Sequence, residues 1–182
     1  MIIFLNGTSS SGKTTLAHEL RSKLSEPYFY LSLDHFLSPS MPLRIDMSRE
    51  EDLKLVDSSI TGFNQALYAY SKSIGHIIVD HVLQKKEWLM QVADSIGHTD
   101  VFFVCVTAPL EVVEKREKLR PDRLPGTARS QYEAIHQQQY DMVINTHELN
   151  PQEAAIKIIT NLKAGSSLKA SLAHLRSSSE LV

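Results

Sequence analysis

The chain has 182 residues, 42% of them hydrophobic and 22% charged, and its 19 lysines and arginines against 21 acids give a formal net charge of -2. That length suits one domain with a sizeable core, and the charge balance excludes the basic excess of a nucleic-acid-binding surface. Cys105 is the single cysteine, which excludes a disulfide scaffold and leaves a buried, inert thiol as the expectation. No apolar run reaches membrane-spanning length, and the short apolar start lacks the basic flank of a secretory leader, so the sequence predicts a cytoplasmic protein without membrane or nucleic-acid partners.

In chain order, MIIFLN over Met1–Asn6 reads as a buried strand and runs into GTSSSGKT at Gly7–Thr14, followed by helical spacing over Lys13–Leu24. Tyr28–Asp34 (YFYLSLD) reads as a second strand. The polar stretch Ser38–Ser59, with two early prolines, reads as a long loop of functional length. Helix Thr61–Ile74, strand His76–His81, helix Gln84–Ile96 and strand Val101–Thr107 follow. Beyond them come helix Leu110–Leu119, helix Ser130–Gln139, strand Asp141–Thr146 and helix Pro151–Leu162. SQYE at Ser130–Glu133 and NPQE at Asn150–Glu153 read as capping boxes, the second with proline at the first helical position. Strands alternating with helices predict an α/β fold with a parallel sheet covered on both faces. The domain is placed at 1–162, with 163–182 a serine-rich accessory helix or loose tail spacing Leu168, Leu172 and Leu175 at helical intervals.

GTSSSGKT fits G-x-x-x-x-G-K-[ST] at every fixed position, in the strand–loop–helix setting that motif requires. Small residues let the backbone N–H groups of Gly7, Thr8, Ser9, Ser10, Ser11, Gly12, Lys13, Thr14 and Thr15 converge on phosphate at the positive end of a helix. Lys13 would span the β- and γ-phosphates, and the Thr14 hydroxyl would meet Mg²⁺. No N-K-x-D guanine-reading loop accompanies it, so ATP is favoured. Asp34, ending the second strand, is placed to take a proton from an attacking hydroxyl. Asp80, ending the buried third strand, is placed to hold Mg²⁺ through water.

In EKREKLRPDRLPG, Glu114–Gly126, Arg116 and Arg120 are four apart on one helix face, and Pro121 should turn the chain and present Arg123 from a loop. An arginine-bearing flap there would neutralise charge on a transferred phosphoryl group. His35 and His81 each follow a candidate aspartate without metal-site spacing. Trp88, Tyr28, Phe29 and Tyr30 read as core.

With FLNGTSSSGKT, LDHFL, MPLR at Met41–Arg44, HIIVDHVL, REKLRPDR and YDMVINTHELNPQEAA in this order, the chain resembles the chloramphenicol phosphotransferase-like branch of the P-loop kinases, from Met1 to about Leu162. The resemblance implies a five-stranded parallel sheet of order 2-3-1-4-5 flanked by helices. It further implies ATP- and Mg²⁺-dependent phosphorylation of a hydroxyl on a small molecule. Asp34 would be the base, with Arg120 and Arg123 in a lid and Arg116 near the nucleotide. Thr146–Asn150 would border the base, and Met41 and Pro42 would lie beside the acceptor. His81 stands where the family often has a second acid. Two other readings share these features: a nucleoside or nucleotide kinase, and a nucleotide-dependent regulatory module that does not turn over.

Overall fold

The computed structural model describes residues 1–40, 49–73, 75–121 and 125–163. Met41, Pro42, Arg44, Arg123 and the segment 164–182 lie outside the described residues.

Five parallel strands form one sheet of order β2-β3-β1-β4-β5: β1 Ile2–Asn6, β2 Phe29–Ser32, β3 Ile77–His81, β4 Val101–Thr107 and β5 Met142–Asn145. The order is the one the resemblance implied. β1 sits at the centre because every residue in it can be buried, and alternate side chains serve opposite faces. Ile2 and Phe4 join one core with Phe63, Leu67, Trp88 and Leu89, from helices α3 (Arg49–Ser73) and α4 (Lys86–Ile96). Ile3 and Leu5 join the other with Leu16, Leu20 and Ile158, from α1 (Lys13–Lys23) and α7 (Pro151–Lys163). Three helices complete the layers: α2 (Leu33–Ser40), α5 (Leu110–Glu117) and α6 (Thr127–His136).

Since β1 is flanked by β3 on one side and β4 on the other, with the connection from β1 running to one side and that from β3 to the other, the strand order reverses beside it. The crevice beyond its carboxyl end is where such sheets bind ligands.

Several local expectations need correction. β2 ends at Ser32, and Asp34 lies in the first turn of α2 instead of at a strand end. Leu33, Phe36 and Leu37 share one helix face there, and all three pack into the first core. The stretch expected as a loop to Ser59 is helical from Arg49 onward. Its first turns are held by a Lys54–Glu50 pair at 2.7 Å, while Val56, Ile60, Phe63 and Leu67 carry the packing. Arg120 stands beyond the end of α5 in a turn, its N–H donating to the Glu117 carbonyl at 2.9 Å, and does not share the helix face of Arg116. Ser130 caps nothing: α6 begins after Gly126, at φ +86°. NPQE behaves as expected. Asn150 Oδ1 accepts the Glu153 N–H at 3.0 Å, and Glu153 Oε2 accepts the Asn150 N–H at 3.0 Å.

Candidate active site

The Gly7–Thr14 loop leaves the carboxyl end of β1 and closes at the start of α1. Ser10 at φ +61° and Gly12 at φ +97° give the left-handed turns that aim successive N–H groups inward. Gly7 is there for closeness: a Cβ on it would stand 2.2 Å from the Val106 carbonyl oxygen of β4. Lys13 is buried, and its Nζ donates to the carbonyls of Gly7 at 3.0 Å and Thr8 at 2.8 Å. The hydroxyls of Ser9, Ser10 and Ser11 are buried without a hydrogen-bond partner among the described residues. Buried polar atoms ordinarily find one, so this loop is built to meet a polar ligand.

Across the crevice β3 delivers Asp80, whose Oδ2 accepts from Thr14 Oγ1 at 2.8 Å and from the Tyr30 hydroxyl at 3.0 Å. Lys13 Nζ is 4.0 Å from its other oxygen. Tyr30 is thus no mere core residue; burial, and then the Asp80 charge, push its hydroxyl up to about 12, so it remains a donor. Paired register between Ser32 and Asp80 brings the start of α2, and with it Asp34, to the same end of the sheet.

A cavity of about 620 Å³ joins these groups, lined among others by Lys13, Thr14, Asp34, Asp80, Arg116 and Arg120. Arg116 is tied to its wall, donating through Nη1 to Thr146 Oγ1 at 2.9 Å and through Nη2 to the Thr146 carbonyl at 3.0 Å. Thr146 Oγ1 in turn donates to the Ser11 carbonyl at 2.7 Å, so one end of the cavity is bounded by the loop, α5 and the turn after β5. Away from that end the lining is largely apolar, with Leu33 and Leu37 from α2, Val56 and Ile60 from α3, Val82 after β3 and Trp88 from α4, beside the polar Asp34, His81 and Gln84. Trp88 is buried as expected but also borders this part of the cavity, its indole N–H fixed on Asp57 Oδ1 at 3.0 Å. His81 is wholly buried between Phe4 and Phe63, and that burial, then the nearby Lys13 charge, push it down to about 3. It is a neutral ring at physiological pH. Cys105 is buried and its thiol is pushed up to about 11 by that burial, in keeping with an inert role.

Several groups escaped the sequence reading because their partners are distant in the chain. Glu117, buried at the end of α5, accepts the Gly126 N–H at 2.8 Å and the Ala128 N–H at 2.7 Å, and so caps α6 from another helix. Gln131 of α6 reaches the phosphate-type loop, its Oε1 accepting the Ser9 N–H at 2.8 Å. Asn6 links three segments. Its Nδ2 donates to Gln138 Oε1 at 3.0 Å and to the Tyr140 hydroxyl at 2.9 Å, and its Oδ1 accepts the Leu83 N–H at 2.8 Å. Nothing in local sequence pattern marks these residues.

Comparison with known proteins agrees with this architecture. Residues 1–163 match the family described as chloramphenicol phosphotransferase-like protein. A Mycobacterium tuberculosis protein named "Putative O-phosphotransferase" is 27% identical over 175 residues, covering 81% of this chain and 78% of the relative. The APS kinase of Mycobacterium tuberculosis, solved in complex with AMPPNP and APS, superposes with a TM-score of 0.68 at 18% identity, covering 89% of this chain and 96% of that one. The tunicamycin resistance protein of Deinococcus radiodurans superposes at 0.66 with 23% identity, covering 89% and 95%.

Proposed function

We propose, from the premise that the chain belongs to the chloramphenicol phosphotransferase-like family and is a kinase of the P-loop fold, that it moves the γ-phosphoryl group of ATP to a hydroxyl on an uncharged small molecule. The observation that carries this reading is a single cavity bordered at once by Lys13 of the glycine-flanked loop and by Asp34 of α2.

In this reading Lys13 and the loop amides, apart from the Ser9 N–H already taken by Gln131 Oε1, hold the phosphates, and the Arg116–Thr146 end receives the base. The Asp34 carboxylate accepts the proton of the incoming hydroxyl as its oxygen bonds to the γ-phosphorus and the bond to ADP breaks. Arg120, on the same cavity wall, balances charge on the group in transit; Arg123 is assigned the same work from sequence alone. The Thr14 hydroxyl and Asp80 carboxylate, 2.8 Å apart, are hard oxygen donors at the loop mouth and fit Mg²⁺, which takes few protein ligands and fills its shell with water and phosphate. When bound, that ion would neutralise phosphate charge.

Apolar lining at the far end favours an uncharged molecule over a nucleotide, since its described side chains offer no cation for a second phosphate. Met41 and Pro42 are assigned to that pocket by family resemblance. The test is ATP consumption screened against hydroxylated metabolites and antibiotics, chloramphenicol included. Activity with at least one alcohol, abolished in Asp34→Asn, supports the proposal; equal activity in Asp34→Asn contradicts the assignment of the base.

A further inference from the structure

We infer that Gln131 is a binding group for the terminal phosphoryl of the nucleoside triphosphate, its side-chain Nε2 donating to that group. The inference rests on the nucleotide reading above and adds to the loop a residue that lies 122 positions away from its Ser9 partner.

A backbone N–H can only donate, so the atom it meets on Gln131 at 2.8 Å must be the carboxamide oxygen. That contact fixes which way the amide faces. Its other end is an NH₂ group, and no acceptor among the described residues takes either hydrogen. Gln131 lines the same cavity as Ser9, Ser10 and Lys13. In loops of this type the amides at the helix start grip the inner phosphates, and the lysine spans inner and outer ones. A donor standing on the Ser9 side, outside that cradle, meets the outer group.

The scaffold beneath Gln131 is fastened at both ends, as a precise donor requires. Toward the amino end, Glu117 holds the N–H groups of Gly126 and Ala128. Past the carboxyl end, Gln138 accepts from Asn6 of β1 and donates to the Leu83 carbonyl beyond β3. Helix α6 thus bridges the segment bearing Arg120 and the two strands that carry the loop and Asp80. Gln131 is its point of contact with the phosphates.

Calorimetric titration of wild type, Gln131→Ala and Gln131→Glu with AMPPNP and with ADP, each in the presence of Mg²⁺, tests this without knowledge of the phosphoryl acceptor. Losing a hydrogen bond to a charged group predicts AMPPNP affinity about tenfold lower in Gln131→Ala, with ADP affinity changed by less than about twofold. Gln131→Glu keeps an oxygen for the Ser9 N–H but offers no donor, and should lose at least as much. Equal losses for both nucleotides would make Gln131 a structural prop, and unchanged or tighter AMPPNP binding would make it neutral or an obstruction; each overturns the inference. Wild type binding neither nucleotide would overturn the ATP reading together with it, whereas normal wild-type binding with an unaltered preference for the triphosphate would overturn this inference alone.

Discussion

Replacing Glu117 by alanine should destabilise the protein by about 3 kcal/mol, a large share of the roughly 5–15 kcal/mol available to a folded domain. Both carboxylate oxygens are in use, one on the Gly126 N–H and one on the Ala128 N–H. Hydrogen bonds to a charged group are worth about 1.5–3 kcal/mol each. The contact at Ala128 is buried and should count near the top of that range. The one at Gly126 is part-buried, so water can replace it and it counts near the bottom. A negative charge at the amino end of α6 adds about 0.3–1 kcal/mol, offset by the cost of burying the carboxylate at all. For a chain of this size, about 3 kcal/mol corresponds to a fall of roughly 6–12 °C in the thermal midpoint. Urea and thermal unfolding followed by circular dichroism would measure both. Glu117→Gln should fall between, since its carboxamide offers one acceptor and sets an NH₂ against the second N–H. Glu114→Ala is the control: it removes an acid from the same helix whose partner, Arg129, is exposed, and should leave the midpoint nearly unchanged. If Glu117→Ala costs less than about 1 kcal/mol, the carboxylate does not cap α6 and the start of that helix is held by another source.

Asp34→Asn should retain nucleotide binding while lowering phosphoryl transfer by about 10²–10⁴, the range for removing a positioned general base; full activity in a coupled assay would refute that role. Gly7→Ala should cost about 1–3 kcal/mol and weaken nucleotide binding sharply, because the added methyl would stand 2.2 Å from the Val106 carbonyl oxygen and force one of the two backbones to shift. Normal nucleotide affinity in Gly7→Ala would contradict it. His81 is neutral in the fold down to about 3, whereas the unfolded chain protonates it near 6.5, so stability is lost as pH falls through that window, by up to about 1.4 kcal/mol per unit. His81→Phe should flatten that dependence in denaturant titrations between pH 7 and 4, and parallel curves for the two proteins would show that the ring is not held neutral by its surroundings.

What could be read from the sequence was whatever local chemistry determines. The strands at β1, β3 and β4 are apolar throughout because both faces are buried, and their positions came out within one residue. The phosphate-type loop declares itself through small residues that have few other uses in that order. Asn150 and Glu153 lie within one helical turn and cap each other, so the pattern predicts the contact. Ser130 and Glu133 have the same spacing, but α6 starts earlier because Glu117 caps it from α5, and no local pattern records that. Asp34 reads as a strand end because the short apolar, aromatic-rich run YFYLSL leads straight into it; packing of Leu33, Phe36 and Leu37 on one face decides for the helix. The start of α3 reads as a loop in sequence because the stretch Ser38–Ser59 is polar and opens with two prolines, and its apolar packing begins only at Val56. In the site, Lys13, Thr14, Asp34, Asp80, Arg116 and Arg120 do border one cavity. Tyr30 and Gln131 were missed, since their partners Asp80 and Ser9 are 50 and 122 residues away.

Calorimetric titration of wild type and Lys13→Ala with ATP and Mg²⁺ tests the central claim most directly. Saturable one-to-one binding by wild type, weakened by about tenfold or more in Lys13→Ala through loss of a charged contact to the phosphates, is the expected result. Absence of heat with wild type, or equal affinity in the two proteins, would contradict the assignment of Gly7–Thr14 as a triphosphate-binding loop.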